Sequence, residues 1–158
     1  MVLTPDRLMK IARTNPANVE ILERLPALGL KQCMLTAGCL FQAVWNHHDA
    51  KPAAWGIKDY DVFYFDQDLS WEAENEVILA AEALFQDLDL NIEIKNQARV
   101  HLWYGERFGE VYAPYGLDDI EQGLLRINPV NHQFDLFEKK ALSYQARWPW
   151  LEIVYPAV

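Results

Sequence analysis

The pattern of apolar and polar residues predicts a small sheet whose strands alternate with helices. Residues 57–65 are rich in Val, Phe and Tyr, which favour a strand covered on at least one side. A shorter strand is predicted at residues 31–36. In a third predicted strand, residues 91–95, both isoleucines face one way and Glu93 faces the other, because side chains alternate along a strand. The order is therefore strand, helix, strand, helix, strand.

Apolar residues also recur at helical spacing between and around these strands. In residues 71–87 they fall on one face, and Ser70 before them is a favourable N-cap. Thr4 and Asn15 each precede a proline, a combination typical of a helix start. We expect further helices at residues 5–15, 16–25, 39–48, 117–126 and 134–147, a helix or compact segment at 96–108, and an edge strand or extended tail at 151–155.

Composition limits the class of protein. A length of 158 residues with 51% hydrophobic residues suits one domain with a real core. The net charge of −9 disfavours binding to nucleic acid or anionic membranes, since phosphate contacts need clustered cations. No apolar run is long enough to span a membrane, and the N-terminus lacks a signal-peptide pattern. With Cys33 and Cys39 as the only cysteines, we expect free thiols in a cytoplasmic protein.

Two aspartates near the start of the central strand are the main candidate for chemistry. Asp59 and Asp61 are two residues apart, so their side chains should point the same way, with α-carbons roughly 6–7 Å apart. Carboxylates this close repel each other unless a cation lies between them, and oxygen ligands suit Mg²⁺. The alternative is a strand that begins at a solvated edge. Glu93 is either a third carboxylate of the site or an ordinary exposed residue.

Two shorter motifs also allow both a functional and a structural interpretation. Gly38 lies between a strand and a helix, where it can admit an anion to the free N–H groups of the helix start or simply form a tight turn. His47 and His48 are adjacent, so on a helix they diverge by about 100° and suit a polar helix end better than a metal site.

The ordered set of a strand–Gly38–helix unit, a strand with Asp59-Tyr60-Asp61 and a later strand with Glu93 resembles the DNA polymerase beta-like nucleotidyltransferase superfamily. Within it, the chain is similar to a family of small bacterial nucleotidyltransferase-like proteins. The segments that carry this closer resemblance are residues 37–46, 57–66, 93–103, 113–119 and 146–149.

The resemblance implies an α/β fold: a mixed β-sheet flanked by helices, with the active site on one open face. It implies one domain over residues 1–158, with N-terminal helical cover at 1–30 and a C-terminal helical part at 117–158. It also implies a two-metal mechanism with Mg²⁺, or Mn²⁺ in its place, that transfers a nucleotidyl group from a nucleoside triphosphate to an unknown acceptor. The residues implied are Asp59, Asp61 and Glu93 for metal binding and catalysis, and Gly38, Cys39, Lys58 and Arg99 for nucleotide binding.

Two departures from the superfamily pattern keep other functions open. The residue after the turn glycine is usually Gly or Ser, and here it is Cys39. Relatives also usually carry a further segment, including a strand, where Phe108 and Val111 nearly touch in this chain. A catalytically inactive domain that binds nucleotide or a protein partner is therefore one alternative. A structural or interaction domain with incidental acidic residues is another.

Overall fold

The computed structural model describes residues 2–100, 116–127 and 134–155. Within them the chain alternates short strands with helices, and two 3-10 turns at Leu25–Leu28 and Gln97–Val100 complete the regular structure. The helices are α1 (Pro5–Ala12), α2 (Pro16–Arg24), α3 (Gly38–His48), α4 (Trp71–Phe85), α5 (Asp118–Gln122) and α6 (Phe134–Arg147), and the strands are β1 (Met34–Thr36), β2 (Tyr60–Tyr64), β3 (Ile92–Asn96), β4 (Leu124–Arg126) and β5 (Glu152–Val154).

The central sheet has the order β1-β2-β3, with β2 in the middle. Strand β1 is antiparallel to β2, and β3 is parallel to β2. The expected fold class, a mixed sheet flanked by helices, is therefore confirmed. The register places Thr36 opposite Asp61 on one side and Glu93 opposite Asp61 on the other. Since paired residues point to the same face of a sheet, these three side chains share one face.

The two faces of this sheet have different surroundings. On one face, Val62 and Ile94 are buried in a hydrophobic core to which α2 and α4 contribute Ile21 and Phe85. Burial alternates along β2, where Tyr60, Val62 and Tyr64 are buried and the two residues between them are half-buried. The helices thus close the apolar face and leave the face that carries Asp61 more open, as expected for a sheet with a functional site on one side.

The N-terminal helices follow the predicted caps, with one difference in length. Thr4 Oγ1 accepts a hydrogen bond from the N–H of Arg7, as predicted for an N-cap. Helix α1 ends at Ala12, before the predicted end near Asn15. Asn15 is needed outside the helix because its Oδ1 accepts from the N–H of Ala17 and caps α2.

The C-terminal part contains strands as well as helices, which corrects one prediction. A helix was expected through residue 126, but α5 ends at Gln122, followed by Gly123 with a left-handed φ of 71°. Strand β4 then pairs in parallel with β5. The edge-strand alternative for residues 151–155 is therefore the correct one, and the C-terminal helical part includes a two-stranded sheet.

Two remaining predictions concern segments that lie wholly or partly outside the described residues. Of the segment 96–108, Gln97–Val100 is a 3-10 turn and residues 101–108 fall outside the description. The sequence also predicts a loop at residues 112–116, of which 112–115 fall outside the description. None of the described helices combines the length and the apolar character needed to cross a membrane.

Candidate active site

The predicted acidic residues lie on the open face of the central sheet. Asp61 is half-buried on the middle strand, and Glu93 is exposed directly opposite it on β3. Asp59 is half-buried just before β2 begins, and the N–H of the intervening Tyr60 donates to the carbonyl of Asn91 at 2.9 Å. The parallel pairing with β3 thus begins at Tyr60 and fixes the position of both aspartates relative to Glu93.

Asp61 is in an environment that disfavours its charge. Its pKa is raised mainly by burial, and the negative charges of Asp59 and Glu93 raise it further. Lys95 and Lys140 act in the opposite direction and lower it. A carboxylate held near two others and partly removed from water is typical of a functional site, because a bound cation would relieve the repulsion.

The glycine turn lies beside Asp59. A Cβ placed on Gly38 would be 3.8 Å from Asp59 Oδ1 and 2.8 Å from Gln42 Nε2, so only glycine fits without displacing a neighbour. Ala37, before it, has φ 57° and ψ −128°, a conformation that side-chain-bearing residues rarely adopt. Helix α3 begins at this turn with no side-chain cap. An anion can therefore approach the N–H groups at the helix start.

Arg147, at the end of α6, ties the turn to the segment that leads into the aspartates. Its Nη1 donates to Gln42 Oε1 at 3.0 Å and to the carbonyl oxygen of Gly56. Burial lowers the pKa of Arg147, and Asp59 counteracts this by favouring the charged form. Since Gln42 lies against Gly38, Arg147 links the two segments that carry Gly38 and Asp59.

Two further residues of α6 act electrostatically on the acidic face. Lys140 lowers the pKa of Asp61. Tyr144 has a raised pKa, mainly because of burial, and both Asp59 and Asp61 contribute to the rise. Besides Arg147, the C-terminal helix therefore brings a second cation and a phenol to the border of the acidic face, neither of which the sequence pattern indicated.

Glu93 has a partner on its own strand. Lys95 Nζ donates to Glu93 Oε2 at 2.7 Å, and both side chains are about half exposed. Among the described residues, no group of three or more His, Cys, Asp or Glu side chains is arranged to hold a metal ion. The carboxylate chemistry of Asp59 and Asp61 nonetheless fits a hard divalent cation. Lys95 contacts Glu93 through Oε2, so this ion pair competes with any metal binding by Glu93.

The four residues expected to bind nucleotide lie in different environments. Gly38 is at the turn. The Cys39 thiol is buried in the core and donates to the carbonyl of Thr36 at 3.3 Å, and burial with the nearby Asp61 raises its pKa to about 12. Lys58 is exposed and forms no hydrogen bond or ion pair with another described residue. The side chain of Arg99 lies outside the description, so its role stays a prediction.

The adjacent histidines end a helix, as the sequence favoured. Helix α3 ends at His48, whose ring stacks on Trp150 with centroids 4.1 Å apart. His48 Nδ1 is also 3.1 Å from Asp49 Oδ1. These contacts give His48 a structural role at the C-terminal end of α3.

Comparison with known proteins places this arrangement in a family. The sequence model of a family described as Nucleotidyltransferase matches residues 23–109, more than half of the chain. The chain belongs to this nucleotidyltransferase family. The family match runs from the end of α2 through β1, α3, β2, α4 and β3, so it includes Gly38, Asp59, Asp61 and Glu93.

A solved structure supports the fold over nearly the whole length. An NMR structure described as revealing a CCA-adding enzyme head domain aligns with a TM-score of 0.71 and 24% identity, covering 99% of this chain and 98% of that one. At this identity the similarity shows the fold alone. No curated protein sequence matches the chain.

The candidate site of this nucleotidyltransferase-family chain therefore extends beyond the family match. Gln42 lies within it, whereas Lys140, Tyr144 and Arg147 follow it. Sequence reasoning missed the roles of these residues because each depends on contacts with distant parts of the chain. One signal was present, since the segment 146–149 around Arg147 was part of the family resemblance.

Proposed function

We propose that this protein is a Mg²⁺-dependent enzyme that transfers a nucleotidyl group from a nucleoside triphosphate to an acceptor. The observation that supports this most is the register of the central sheet, which pairs Asp61 with Glu93 on the open face while Asp59 lies against the Gly38 turn. Acidic residues beside an uncapped helix start combine sites for a divalent cation and for phosphate. The free cysteines and the triphosphate donor suit a cytoplasmic enzyme.

In this proposal, different residues bind the phosphate and the metal ion. The N–H groups at the start of α3 bind phosphate oxygens, and the absence of a side chain at Gly38 lets the phosphate approach. Asp59 and Asp61 would hold Mg²⁺, with Mn²⁺ as a substitute, and Glu93 would join them in competition with its ion pair to Lys95. A bound divalent ion would neutralise the carboxylates and polarise the phosphate that is attacked.

Catalysis is then mostly positioning and charge stabilisation. The acceptor hydroxyl oxygen forms a bond to the α-phosphorus, the bond to the β-phosphate oxygen breaks, and pyrophosphate leaves. Glu93 is exposed and pairs directly with Asp61 across β2 and β3. We therefore assign it as the base that accepts the proton released by the hydroxyl. Lys140 and Arg147 add positive charge beside a site where negative charge collects.

Thermal unfolding with each nucleoside triphosphate, with and without Mg²⁺ or Mn²⁺, tests the binding step. A ligand at a hundred times its Kd should stabilise the protein by about 2.7 kcal/mol, a rise in Tm of about 5–10 °C for a domain of this size. We expect the rise only when cation and triphosphate are both present. The Asp61→Asn variant should lose it, and the Glu23→Gln variant, altered on the exposed side of α2, should keep it. Equal shifts in Asp61→Asn and wild type would refute the proposed site.

The Asp61→Asn variant should also change the pH dependence of stability in the absence of ligand. Because the pKa of Asp61 is raised in the folded protein, its ionisation costs stability, and the cost appears as pH rises through the folded pKa. At pH 7 without metal, Asp61→Asn should therefore be more stable than wild type by on the order of 0.5 kcal/mol, since solvent screens a half-buried group. The difference should disappear at a pH below the unfolded pKa of about 3.9.

A second candidate is a domain of the same family that binds nucleotide or a protein partner without catalysis. The ion pair between Glu93 and Lys95 and the core position of the Cys39 thiol favour it, because each removes a polar group from the site. Pyrophosphate release separates the two. Release that requires Asp61 supports the enzyme, whereas nucleotide binding without release across a broad acceptor panel supports the second candidate.

A further inference from the structure

A second concave site adjoins the acidic face. A cavity of about 260 Å³ lies between α3, the α5–β4 segment and α6. Its walls are mainly apolar, and four aromatic rings contribute to them: Phe41 and Trp45 from α3, and Phe137 and Tyr144 from α6. Phe41, Trp45 and Tyr144 contact one another, with centroid distances of 4.8 Å, 5.7 Å and 5.5 Å, so the positions of these three rings are mutually fixed.

This cavity, which we call the aromatic pocket, shares the Phe41 ring as a wall with the proposed site. Phe41 Cζ is 3.9 Å from the position that a Cβ on Gly38 would occupy, so the pocket wall reaches the glycine turn. Lys140 and Tyr144 line the pocket and also interact electrostatically with Asp61. A molecule in the pocket would therefore have one end on the side of the glycine turn, next to which Asp59 lies.

The polar groups of the pocket limit what it can hold. The side chains with full charges are Asp119, Arg126 and Lys140, and the first two pair with each other at 2.9 Å. A nucleobase presents several donors and acceptors along its edges, which would lose hydrogen bonds against an apolar wall. A ring without polar edge atoms loses nothing there, and a single polar substituent can meet Lys140.

We propose that the aromatic pocket binds the apolar ring of the acceptor, a small molecule whose one hydroxyl group points toward Asp59 and Asp61. The identification of the bound molecule as the acceptor rests on the proposed function, but binding in the pocket can be tested independently. The volume suits one ring system, just below the range usual for drug-sized ligands. The acceptor class is therefore small hydroxylated aromatic or alicyclic compounds, and not a nucleic acid or a protein.

Titration of the full chain with indole and phenol, followed by methyl NMR, tests occupancy of the pocket. We expect shifts confined to the methyl groups of Ile120, Leu124, Leu125 and Ala141, with phenol and indole competing for one site. Glucose, which has hydroxyl groups but no apolar ring, should cause no such shifts. Shifts spread over the surface, or none at all, would overturn the proposal.

Variants that fill the pocket make the test specific. Ala141 is buried and lines the pocket, so Ala141→Leu should raise the Kd for indole by about tenfold or more. Leu124→Trp, at a half-buried wall position, is a second filling variant in case the first does not fold. Leu142→Ala, at a 51% exposed position on the same helix, is the control and should bind indole like wild type. Unchanged affinity in a folded filling variant would contradict the pocket.

A last titration distinguishes the acceptor ring from the nucleobase. Indole should still bind in the presence of Mg²⁺ and a non-hydrolysable nucleoside triphosphate, because the two occupy different places. Competition between them would assign the pocket to the base and overturn the acceptor inference. If the triphosphate does not bind at all, the proposed function fails, and the acceptor assignment fails with it, while the indole result still decides whether the pocket exists.

Discussion

Ala37 shows how a single residue can carry strain at a functional turn. Its φ of 57° and ψ of −128° belong to a region that glycine occupies freely and alanine does not, and a residue held there costs on the order of 1–3 kcal/mol. The conformation turns the chain from β1 into α3 and places Gly38 next to Asp59. The strain is therefore found where the anion site is proposed.

Replacing Ala37 with glycine should stabilise the protein. We expect Ala37→Gly to raise the free energy of unfolding by about 1 kcal/mol, because relief of strain exceeds the extra backbone entropy of glycine. Tm should rise by about 2–4 °C in thermal unfolding. The control is Ala43→Gly, buried in the middle of α3, which should lose about 1 kcal/mol. A loss of stability in Ala37→Gly would mean that its side-chain contacts outweigh the strain.

At the scale of elements, Gly123 separates α5 from β4 and carries two constraints at once. Its φ is 71°, and a Cβ there would lie 2.1 Å from Trp150 Cζ3 and 2.6 Å from Trp150 Cε3. Its carbonyl also accepts from the N–H of Glu152, where β4 and β5 begin to pair. The glycine therefore ends the helix and allows the tryptophan to pack against the strand pair.

Gly29 offers a comparison with only one of these constraints. It has a similar φ of 64°, and a Cβ there would meet nothing within 4 Å. Gly29→Ala should cost about 1 kcal/mol from backbone strain alone. Gly123→Ala adds a collision with an indole ring and should cost about 2–3 kcal/mol more, measured by urea unfolding of both variants. Equal losses would show that Trp150 can move aside.

The elements that could be predicted from sequence are those whose signal is local. Helices α4 and α6 have long apolar stripes, and β2 has a run of Val, Phe and Tyr, so each was placed within a few residues. Strand β4 was mistaken for the end of a helix because Leu124-Leu125-Arg126 is too short to show a period. Its partner β5 begins 28 positions later along the chain, at Glu152 opposite Leu124, and no local pattern reports that pairing.

The candidate site likewise contains residues that the sequence indicated and contacts that it did not. Asp59, Asp61, Glu93 and Gly38 were candidates because of their spacing and order, and the structure puts Asp61 and Glu93 in register on one face. The ion pair of Glu93 with its neighbour on β3 was not anticipated. Cys39 was expected to contact nucleotide, but its thiol faces the core. Which side of a helix start faces the core depends on packing with α2, which a single sequence does not reveal.

At the scale of the whole molecule, the C-terminal helix borders the candidate site that the family segment carries. The family match ends at residue 109, and α6 starts later, at Phe134. Trp148, just after α6, is fully buried and donates from Nε1 to Asn46 Oδ1 at 3.0 Å, which fixes the end of α6 against α3. The fold therefore brings α6 to the border of the acidic face, where its cationic residues offset carboxylate repulsion.

Substitution of Arg147 tests the placement of α6 beside the acidic face. Arg147→Met removes a donor from Gln42 Oε1 and from the carbonyl of Gly56 while keeping much of the side-chain volume. Because both acceptors would then lack this cationic partner, we expect a loss of about 2–3 kcal/mol in urea unfolding. Arg126→Met, which breaks an exposed pair with Asp119, should cost less than about 1 kcal/mol.

The consequence for the site distinguishes a positioning role from a purely structural one. If Arg147 aligns the Gly38 turn with Asp59, Arg147→Met should weaken Mg²⁺–triphosphate binding even at temperatures where the variant is fully folded. Hydrogen exchange should rise at Gly38, Cys39 and Gly56 and stay unchanged in α4, which lies on the other face of the sheet. Arg147→Lys keeps the charge but is shorter and lacks the Nε–H that donates to the carbonyl of Ser143, so it should restore binding only in part. Wild-type binding by a folded Arg147→Met protein would show that α6 supports the fold without shaping the site.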